Sequence, residues 1–355
     1  MDDKGASTRA ENVYTTPQTR GGVMNKLYPP GEKPGAKGRM KNHCRKFWWC
    51  DCLVFAIIVL VVLLPIIYVA IPKKAQSEIN ASTIEVLSQE VTNPHPDGVH
   101  LKMDTVIRSD SSYHPKIDGF RAGLSLKGQS PFMYINIPQV KSEAETPVTV
   151  DQDAPLVSRE AFSEYTKLVL ASEEFNVYLN GKTNIHLSGL PKMDVKYNKV
   201  VTMKGLNKLE GLNISDVRIL SGENILPDNS NLVANVTIPN PSVMTLDLGN
   251  VTLNLNVDDK EIGYALIPNL YLKPGTNKFA LQSRVDQLVI LGLITSKYKD
   301  AVLPLQILGN SSIKDGEHLT YYEEAIKSNV INLNLDVGPA LAGIGLNTTA
   351  FGGSR

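Results

Sequence analysis

The chain has 355 residues, of which 42% are apolar, and its formal net charge is zero. A chain of this length accommodates two domains of about 150 residues each. The charge is unevenly distributed, because residues 1–52 hold ten Lys and Arg against five Asp and Glu, which leaves 26 against 31 beyond them. An acidic remainder argues against nucleic-acid binding, since phosphates require a cationic face, whereas a basic tail suits an anionic membrane surface.

The first 38 residues are polar and rich in Gly, Pro, Lys and Thr. Their few apolar groups do not offset the entropy of folding, so we predict that they are disordered. Residues 1–52 as a whole are predicted to be one disordered, basic cytosolic tail, whose end is rich in cysteine and tryptophan. Protein partners of unknown identity are expected to bind through this tail.

An uncharged run of nineteen residues at 53–71 predicts a transmembrane helix, because about 20 apolar residues cross the hydrocarbon core of a bilayer. Pro65 lies inside the run, and membrane helices tolerate proline because neighbouring groups satisfy the freed carbonyl. More basic residues precede the run than follow it, which places the N terminus in the cytosol and makes the chain a type II membrane protein. A cleaved signal peptide would have a shorter apolar core, nearer to residue 1.

All three cysteines, Cys44, Cys50 and Cys52, lie beside this run, so the region beyond it has no disulfide. Juxtamembrane cysteines are candidates for palmitoylation, which is the interpretation we favour. Unmodified thiols are the alternative. A zinc site is the weakest alternative, because the cysteines lack the paired spacing that such sites use.

Six Asn-x-Ser/Thr sequons all follow the apolar run, as expected if that side is lumenal or extracellular. The predicted glycosylation sites are Asn80, Asn213, Asn235, Asn250, Asn310 and Asn347. Asn250 is the weakest of them, because it lies in a predicted strand.

Beyond residue 79 the sequence changes to short runs in which apolar and polar residues alternate, as at 195–201 and 251–257. A period of two predicts half-buried strands, and regular turn signals between them predict a sandwich or barrel. Helices are expected at 158–171, where Ser158 is a capping residue, and at 319–328. Short strings recur at an offset of about 130 residues. We therefore predict two tandem antiparallel β-sandwiches, at 76–210 and 211–350, in a mainly β protein with a few short helices.

One series of strings in the second half has a recognisable order. The strings are Ile238-Pro239-Asn240-Pro241-Ser242, Leu248-Gly249-Asn250-Val251, Ile262-Gly263, Ile267-Pro268 and Leu272-Lys273-Pro274-Gly275. Their order resembles the β-sandwich of group 2 late-embryogenesis-abundant (water-stress) proteins. The first half departs from the pattern, with Arg108-Ser109-Asp110 where the Asn-Pro turn would be.

The whole layout is similar to fungal single-pass vacuolar-membrane proteins that carry tandem domains of this kind, a group related to a yeast protein of autophagy termination. The resemblance implies a vacuolar membrane location with the large region in the lumen. The plasma membrane, with that region outside the cell, is the alternative. The resemblance also implies lipid binding in a groove along the sandwich.

Motifs for catalysis or for metal and cofactor binding are not found. The segment 176–183 ends like a phosphate-binding loop, but Asn176 replaces its first Gly and the segment predicts a strand and a turn. His95, Asp97, His100 and His114 lie in a Pro-rich segment, and solvated side chains are the favoured interpretation. Asp151/Asp153 and Asp258/Asp259 are interpreted as loop and turn residues. We therefore expect no enzyme, no cofactor and no metal.

Two apolar stretches, at 132–135 and 288–294, do not alternate and are either buried on both faces or line an apolar groove. The groove candidates are Phe132, Tyr134, Ile290 and Leu293. Two functions follow from these alternatives. The first is binding of lipid or membrane in such a groove. The second is a glycosylated scaffold that displays a protein-binding surface and holds no small ligand.

Overall fold

The computed structural model describes residues 36–346, apart from the side chains of residues 36–39, 41–42 and 44–46. The chain divides into two compact units, Met1–Pro65 and Ile66–Arg355. The helices in the described part are α1 Ala36–Pro65, α2 Ile71–Ala81, α3 Arg159–Ala171, α4 Gln287–Ser296, α5 Thr320–Lys327 and α6 Gly338–Gly343.

Seventeen strands make up most of the unit Ile66–Arg355 in the described range. They are β1 Thr83–His95, β2 Gly98–Arg108, β3 Lys116–Ile117, β4 Phe120–Ser125, β5 Met133–Ile137, β6 Val140–Lys141, β7 Glu145–Pro155, β8 Glu174–His186, β9 Met193–Lys204, β10 Asn213–Ile219, β11 Leu232–Asn240, β12 Met244–Val257, β13 Lys260–Leu272, β14 Gly275–Val285, β15 Val302–Lys314, β16 Glu317–His318 and β17 Val330–Asp336.

By length and composition, the stretch Phe47–Ala81 is the one helix among the described residues that is able to cross a membrane. A π-helical turn, Ile66–Ala70, follows Pro65 directly. Proline lacks an N–H and its ring presses on the preceding turn, and a wider turn relieves that conflict. Helix α1 begins well before the predicted span, because residues 36–52 of the predicted tail are helical. Residues 1–35 of that tail lie outside the described residues.

The larger sheet has eleven strands, ordered β10-β11-β14-β13-β12-β1-β2-β7, with β15 beside β12 and both β16 and β17 beside β15. Its pairings between described strands are antiparallel except that of β1 with β12, which is parallel over Gln89–Val91 and Met244–Leu246. The hairpin between β12 and β13 turns at Asp258 and Asp259, whose φ angles are 52° and 59°. Two positive φ angles are typical of a tight hairpin turn, which confirms the predicted turn.

The smaller sheet has six strands, ordered β5-β4-β8-β3-β6, with β9 paired to β8. Apolar side chains of β1, β2 and β7 pack against those of β4, β5, β8 and β9, so the two sheets enclose one core. Strand β9 alternates strictly between buried and exposed residues over its length, as predicted from its sequence. Helix α3 closes one side of this core, and the Ser158 side chain caps it by accepting a hydrogen bond of 3.1 Å from the Ala161 N–H.

A second part of the same apolar cluster, which we call the second core, lies where β10 to β15 and β17 all contribute apolar side chains. The mainly β fold with two sheets and a few short helices confirms the predicted fold class. The division at residues 210 and 211 falls between β9 and β10. That division stays a prediction, because strands from both sides join one sheet in a single compact unit.

The apolar stretch 288–294 is the main local difference from the sequence interpretation. We treated it as a strand that is buried on both faces or that lines a groove, but it is the helix α4. The Asp286 side chain begins this helix by accepting hydrogen bonds from the N–H groups of Leu288 and Val289, each 3.1 Å long. A short apolar run does not distinguish a helix from a strand, and the cap decides the outcome here.

Candidate functional site: an apolar cavity beside helix α2

The four predicted groove residues are not brought together. Phe132 is buried in the first core, where its ring stacks 4.8 Å from that of Tyr165. Tyr134 is half-buried on β5, and its ring lies 4.3 Å from the Arg121 guanidinium carbon. Ile290 and Leu293 are half-buried on α4, where both pack against the buried core. These residues therefore do not form one groove.

A cavity of about 330 Å³ lies elsewhere in the same unit, between helix α2 and the first sandwich. Volumes of this order are typical of small-ligand sites. One wall is the face of α2 that carries Ile71, Ala75 and Ile79, which are spaced four residues apart and so lie on one side of the helix. Ile107, Ile185 and Met193, from β2, β8 and β9, lie on other walls.

Helix α2 begins where the predicted membrane span ends, since Ile71 is the last residue of the uncharged run. The α2 residues that line the cavity therefore follow directly, along the chain, on the segment predicted to lie in the bilayer.

Two side chains fix α2 to strand β9, which is an edge strand of the smaller sheet. The Gln76 side chain donates a hydrogen bond to the Lys196 carbonyl (2.7 Å) and accepts one from the Lys196 N–H (2.8 Å). Gln76 thus fulfils the role that a neighbouring strand would have, and satisfies backbone groups that an edge strand leaves free. The Lys199 ammonium donates to the carbonyl oxygens of Ile79, Asn80 and Ser82 at the end of the helix.

Lys199 is a buried cation, with only 7% of its surface exposed. Burial lowers the pKa of its amine to about 8. Its three carbonyl contacts lie at the negative end of the helix dipole, and they replace the carboxylate that a buried lysine usually needs. This contact connects α2 to the sheet across more than a hundred residues of sequence.

Polar groups are few around the cavity and most have local partners. The Lys74 ammonium and the Glu78 carboxylate form an ion pair of 2.5 Å on α2. In the loop after β2, Ser109 Oγ accepts a hydrogen bond from the Ser111 N–H (3.3 Å), and Ser111 Oγ accepts one from the Tyr113 N–H (3.2 Å). The Tyr197 hydroxyl is different, because it is buried and has no hydrogen-bond partner among the described residues.

Tyr197 lies on β9, and its ring borders both the α2 cavity and a smaller space inside the first core. The ring packs 5.3 Å from that of Phe120. Burial raises the pKa of the hydroxyl to about 12, so Tyr197 is a neutral phenol at physiological pH. The alternation at 195–201 predicts a strand but not its part in a cavity, because the other walls of the cavity come from elements that are distant in sequence.

The titratable groups singled out in the sequence do not form a metal or catalytic centre in the described part of the chain. No group of three or more His, Cys, Asp and Glu side chains there has a metal-binding arrangement. His100 contacts Asp153 (2.8 Å) and Asp151 (3.0 Å) between β2 and β7. The hydrogen bond that His100 donates to Asp153 is the main reason that the pKa of His100 is raised. The segment 176–183 lies within strand β8, so the predicted strand is confirmed and the predicted turn is wrong, because the backbone stays extended and paired with β9 through this segment.

Five of the six sequons lie in the described range, and each asparagine is exposed. They are Asn80 on α2, Asn213 on β10, Asn235 on β11, Asn250 on β12 and Asn310 on β15. Asn347 lies outside the described residues. Cys50 and Cys52 are free thiols on α1, and the side chain of Cys44 lies outside those described.

Comparison with known proteins gives one family match. Residues 130–255 match the family described as protein of unknown function, DUF3712. The matched segment runs from just before β5 into β12 and crosses the predicted boundary between the sandwiches. No curated protein matches the chain.

Solved structures match only distantly. A DUF4785 family protein from Legionella pneumophila is 13% identical over 72% of this chain and 55% of its own, with a TM-score of 0.23. Red sea bream transglutaminase is 12% identical over 64% of this chain and 29% of its own, with a TM-score of 0.21. The chain thus spans about half of the first protein and less than a third of the second. At these TM-scores we transfer neither fold nor function.

Proposed function

We propose that this chain is a non-enzymatic, single-pass type II membrane glycoprotein that binds a lipid in the apolar cavity beside α2. Its tail lies in the cytosol, where it contacts protein partners, and its β-rich region lies in the lumen of the vacuole. The observation that carries the proposal is the cavity itself, which has an apolar wall of Ile71, Ala75 and Ile79 directly after the membrane-spanning run.

The membrane arrangement is supported by independent features. The Phe47–Ala81 stretch is long and apolar enough to span a bilayer, and basic residues are concentrated before it. The sequons follow the span, and the five described ones are exposed, as glycosylation requires. Cys50 and Cys52 are free thiols beside the span and remain candidates for palmitoylation, together with Cys44.

The vacuolar location rests on the resemblance of the layout to fungal vacuolar-membrane proteins with late-embryogenesis-abundant domains. The same topology at the plasma membrane is the alternative. Localising a tagged full-length chain by fluorescence microscopy against vacuolar and plasma-membrane markers decides between the two.

Photo-crosslinking of the full-length protein in nanodiscs tests lipid binding. The probe is a fatty acid with a diazirine in its chain, and crosslinked peptides are identified by mass spectrometry. We expect label on α2 and on the part of β9 that contains Met193. Ala75→Trp fills the cavity from α2, so it should lower the labelling of β9 by about tenfold, which corresponds to about 1.4 kcal/mol of binding free energy.

Ala171→Trp is the matched control, because Ala171 is an exposed alanine at the end of α3 and does not line the cavity. It should leave the labelling of β9 unchanged. Circular dichroism and thermal unfolding of both variants establish that they are folded. The lipid-binding proposal would be excluded if β9 of the wild type is not labelled, or if Ala75→Trp does not reduce the labelling of β9.

A scaffold without a small ligand is the second candidate function. It is favoured by α4, a short apolar helix on which 81% of the Leu288 side chain is exposed. An exposed apolar residue of that size is a candidate contact for a partner protein. Failure of the crosslinking experiment in the wild-type protein would leave this function as the better one.

A further inference from the structure

Strand β17 is a free edge of the larger sheet. It pairs with β15 and with no other described strand, over seven residue pairs without a bulge. The Val337 N–H donates to the Ala301 carbonyl (3.0 Å) in the same register, so hydrogen-bonded and non-hydrogen-bonded pairs alternate from that point. By this alternation, the N–H and C=O groups of Asn332 and Asn334 point away from β15. Pro304, which has no N–H, lies opposite Asn334, as a non-hydrogen-bonded pair permits.

The other long edges in the described part of the chain are protected against pairing. Strand β9 is held by Gln76, and β5 is held in the same way by Gln152. The Gln152 side chain accepts a hydrogen bond from the Asn136 N–H (2.9 Å) and donates one to the Tyr134 carbonyl (3.4 Å). Strand β10 is interrupted by a bulge between Ser215 and Arg218, and β7 carries two prolines and three acidic residues. Native sheets use such features to avoid edge-to-edge association.

Strand β17 has none of these protective features. Its sequence, VINLNLD, contains no proline, lysine or arginine, and its one acidic residue is the last. Asn332 and Asn334 are exposed, while the apolar residues that alternate with them, Ile331, Leu333 and Leu335, are only half-buried against the core. An edge with free backbone groups and a half-covered apolar face is a template for another strand.

We propose that β17 pairs with β17 of a second copy of this chain, antiparallel and about a two-fold axis, so that two chains share one continuous sheet. In the register of full overlap, Asn332 of one copy lies opposite Asn334 of the other, and the reverse pair follows by symmetry. Both pairs bring free N–H and C=O groups face to face, so each exchanges its two backbone hydrogen bonds. The neutral amide side chains of these pairs are also within reach of each other.

The edge is self-complementary, and for this reason a second copy fits it better than an unrelated strand. The two-fold register places Leu333 opposite its own symmetry mate and Ile331 opposite Leu335, so half-buried apolar residues cover one another. The single charge of the strand, Asp336, lies opposite Val330, so like charges do not meet across the pair. This inference goes beyond lipid binding and does not depend on it.

Charge substitutions on this edge test the pairing, with the full-length protein purified in detergent. Native mass spectrometry of the wild type should show a dimer, and light scattering over a dilution series gives its Kd. Two double variants are compared: Asn332→Lys with Asn334→Lys, and Asn332→Glu with Asn334→Glu. Each places like charges opposite each other across the two-fold axis, so the Kd should rise by about tenfold or more. The two variants expressed together should form a heterodimer whose Kd lies within about threefold of the wild-type value.

Asn334→Pro tests the backbone contribution. The N–H that proline removes makes no hydrogen bond with β15, so the Tm should change little, whereas the Kd of the dimer should rise by about tenfold. Asn198→Lys with Val200→Lys is the matched control, because both residues are exposed and lie two apart on β9, whose edge Gln76 holds. It should leave the Kd unchanged. Thermal unfolding of every variant establishes that it is folded.

A wild type that is monomeric at every concentration of the dilution series would overturn the inference. A dimer that persists in both double variants and in Asn334→Pro would also overturn it, because another surface, such as the spanning helix, would then hold the copies together. Dimers that are lost in both double variants and not restored when the two are expressed together would have the same consequence. None of these measurements involves the α2 cavity, so the proposed function is tested separately.

Discussion

Lys199 shows how one residue can connect distant parts of this chain. Its side chain extends from β9 and contacts the last carbonyls of α2, where a helix leaves backbone acceptors unsatisfied. A cation at this end is favoured by the helix dipole, while burial acts against the charged form. The balance leaves the amine with a pKa of about 8, close to the pH at which proteins work.

The lowered pKa of Lys199 predicts a pH dependence of stability. Between about pH 8 and pH 10.4 the unfolded state holds a proton on this amine that the folded state has lost, so the free energy of unfolding rises with pH in that window. We expect the wild type to gain about 1–3 kcal/mol relative to Lys199→Met between pH 7.5 and pH 9.5. Urea unfolding at a series of pH values measures the difference.

Lys204→Met provides the control for this measurement, because Lys204 is an exposed lysine at the end of the same strand. Its stability curve should run parallel to that of the wild type. Parallel curves for the wild type and Lys199→Met would show instead that the amine keeps its ordinary pKa in the folded protein.

Close packing between elements depends on glycines at particular positions. Gly309 lies on β15 where α5 packs, and a Cβ atom there would overlap the backbone and side chain of Ile326. Gly292 lies on α4, and a Cβ atom there would meet nothing within 4 Å. The same substitution therefore has opposite consequences at the two positions.

Gly309→Ala should destabilise the protein by about 1–3 kcal/mol, because α5 must shift away from the sheet. Gly292→Ala should stabilise it by about 0.5–1 kcal/mol, because alanine restricts the unfolded chain and favours a helix. Thermal and urea unfolding of the two variants measure both effects. A loss of stability in Gly292→Ala would show that the outer face of α4 has a close neighbour in the native protein.

At the scale of whole elements, the parallel contact between β1 and β12 has the largest structural effect. It spans only three residue pairs, yet it joins β1, β2 and β7 to β10 and the later strands in one sheet. The helices α3 and α5 pack beside this junction, where Thr166 Oγ1 donates to the Tyr321 carbonyl (2.7 Å). These contacts explain why residues 66–355 form one compact unit although they have two cores.

For the whole molecule, the proposed topology predicts which sites are modified. In a glycosylating host, endoglycosidase should lower the apparent mass of the full-length chain. Each Asn→Gln substitution should remove the mass of one glycan wherever that asparagine is glycosylated. The positions are Asn80, Asn213, Asn235, Asn250 and Asn310. An N-terminal epitope should be cleaved by protease added to the cytosolic side of sealed vesicles. A chain without glycans and with a protected N terminus would reverse the orientation.

Local periodicity accounts for what could be predicted of the fold. The alternation along β9, the cap at Ser158 and the turn at Asp258 each depend on neighbours within a few residues, and each prediction is confirmed. The segment 251–257 is also a strand, but burial along β12 alternates only in part, since residues 246–249 are all buried. The apolar stretch that forms α4 has no such period, so its conformation depended on the Asp286 cap and on packing against the second core.

The amino-acid sequence by itself determined the class of the protein: an uncharged run long enough to span a bilayer, with a basic tail before it, and a β-rich region after it. These properties depend on composition and on short-range patterns. Only the tertiary structure decided where the cavity lies, because its walls come from α2, β2, β8 and β9, which are distant in sequence. Phe132 and Leu293 resembled groove residues in sequence, but Phe132 is buried in the first core while Leu293 is half-buried on α4, and the unpaired hydroxyl of Tyr197 became visible only in three dimensions.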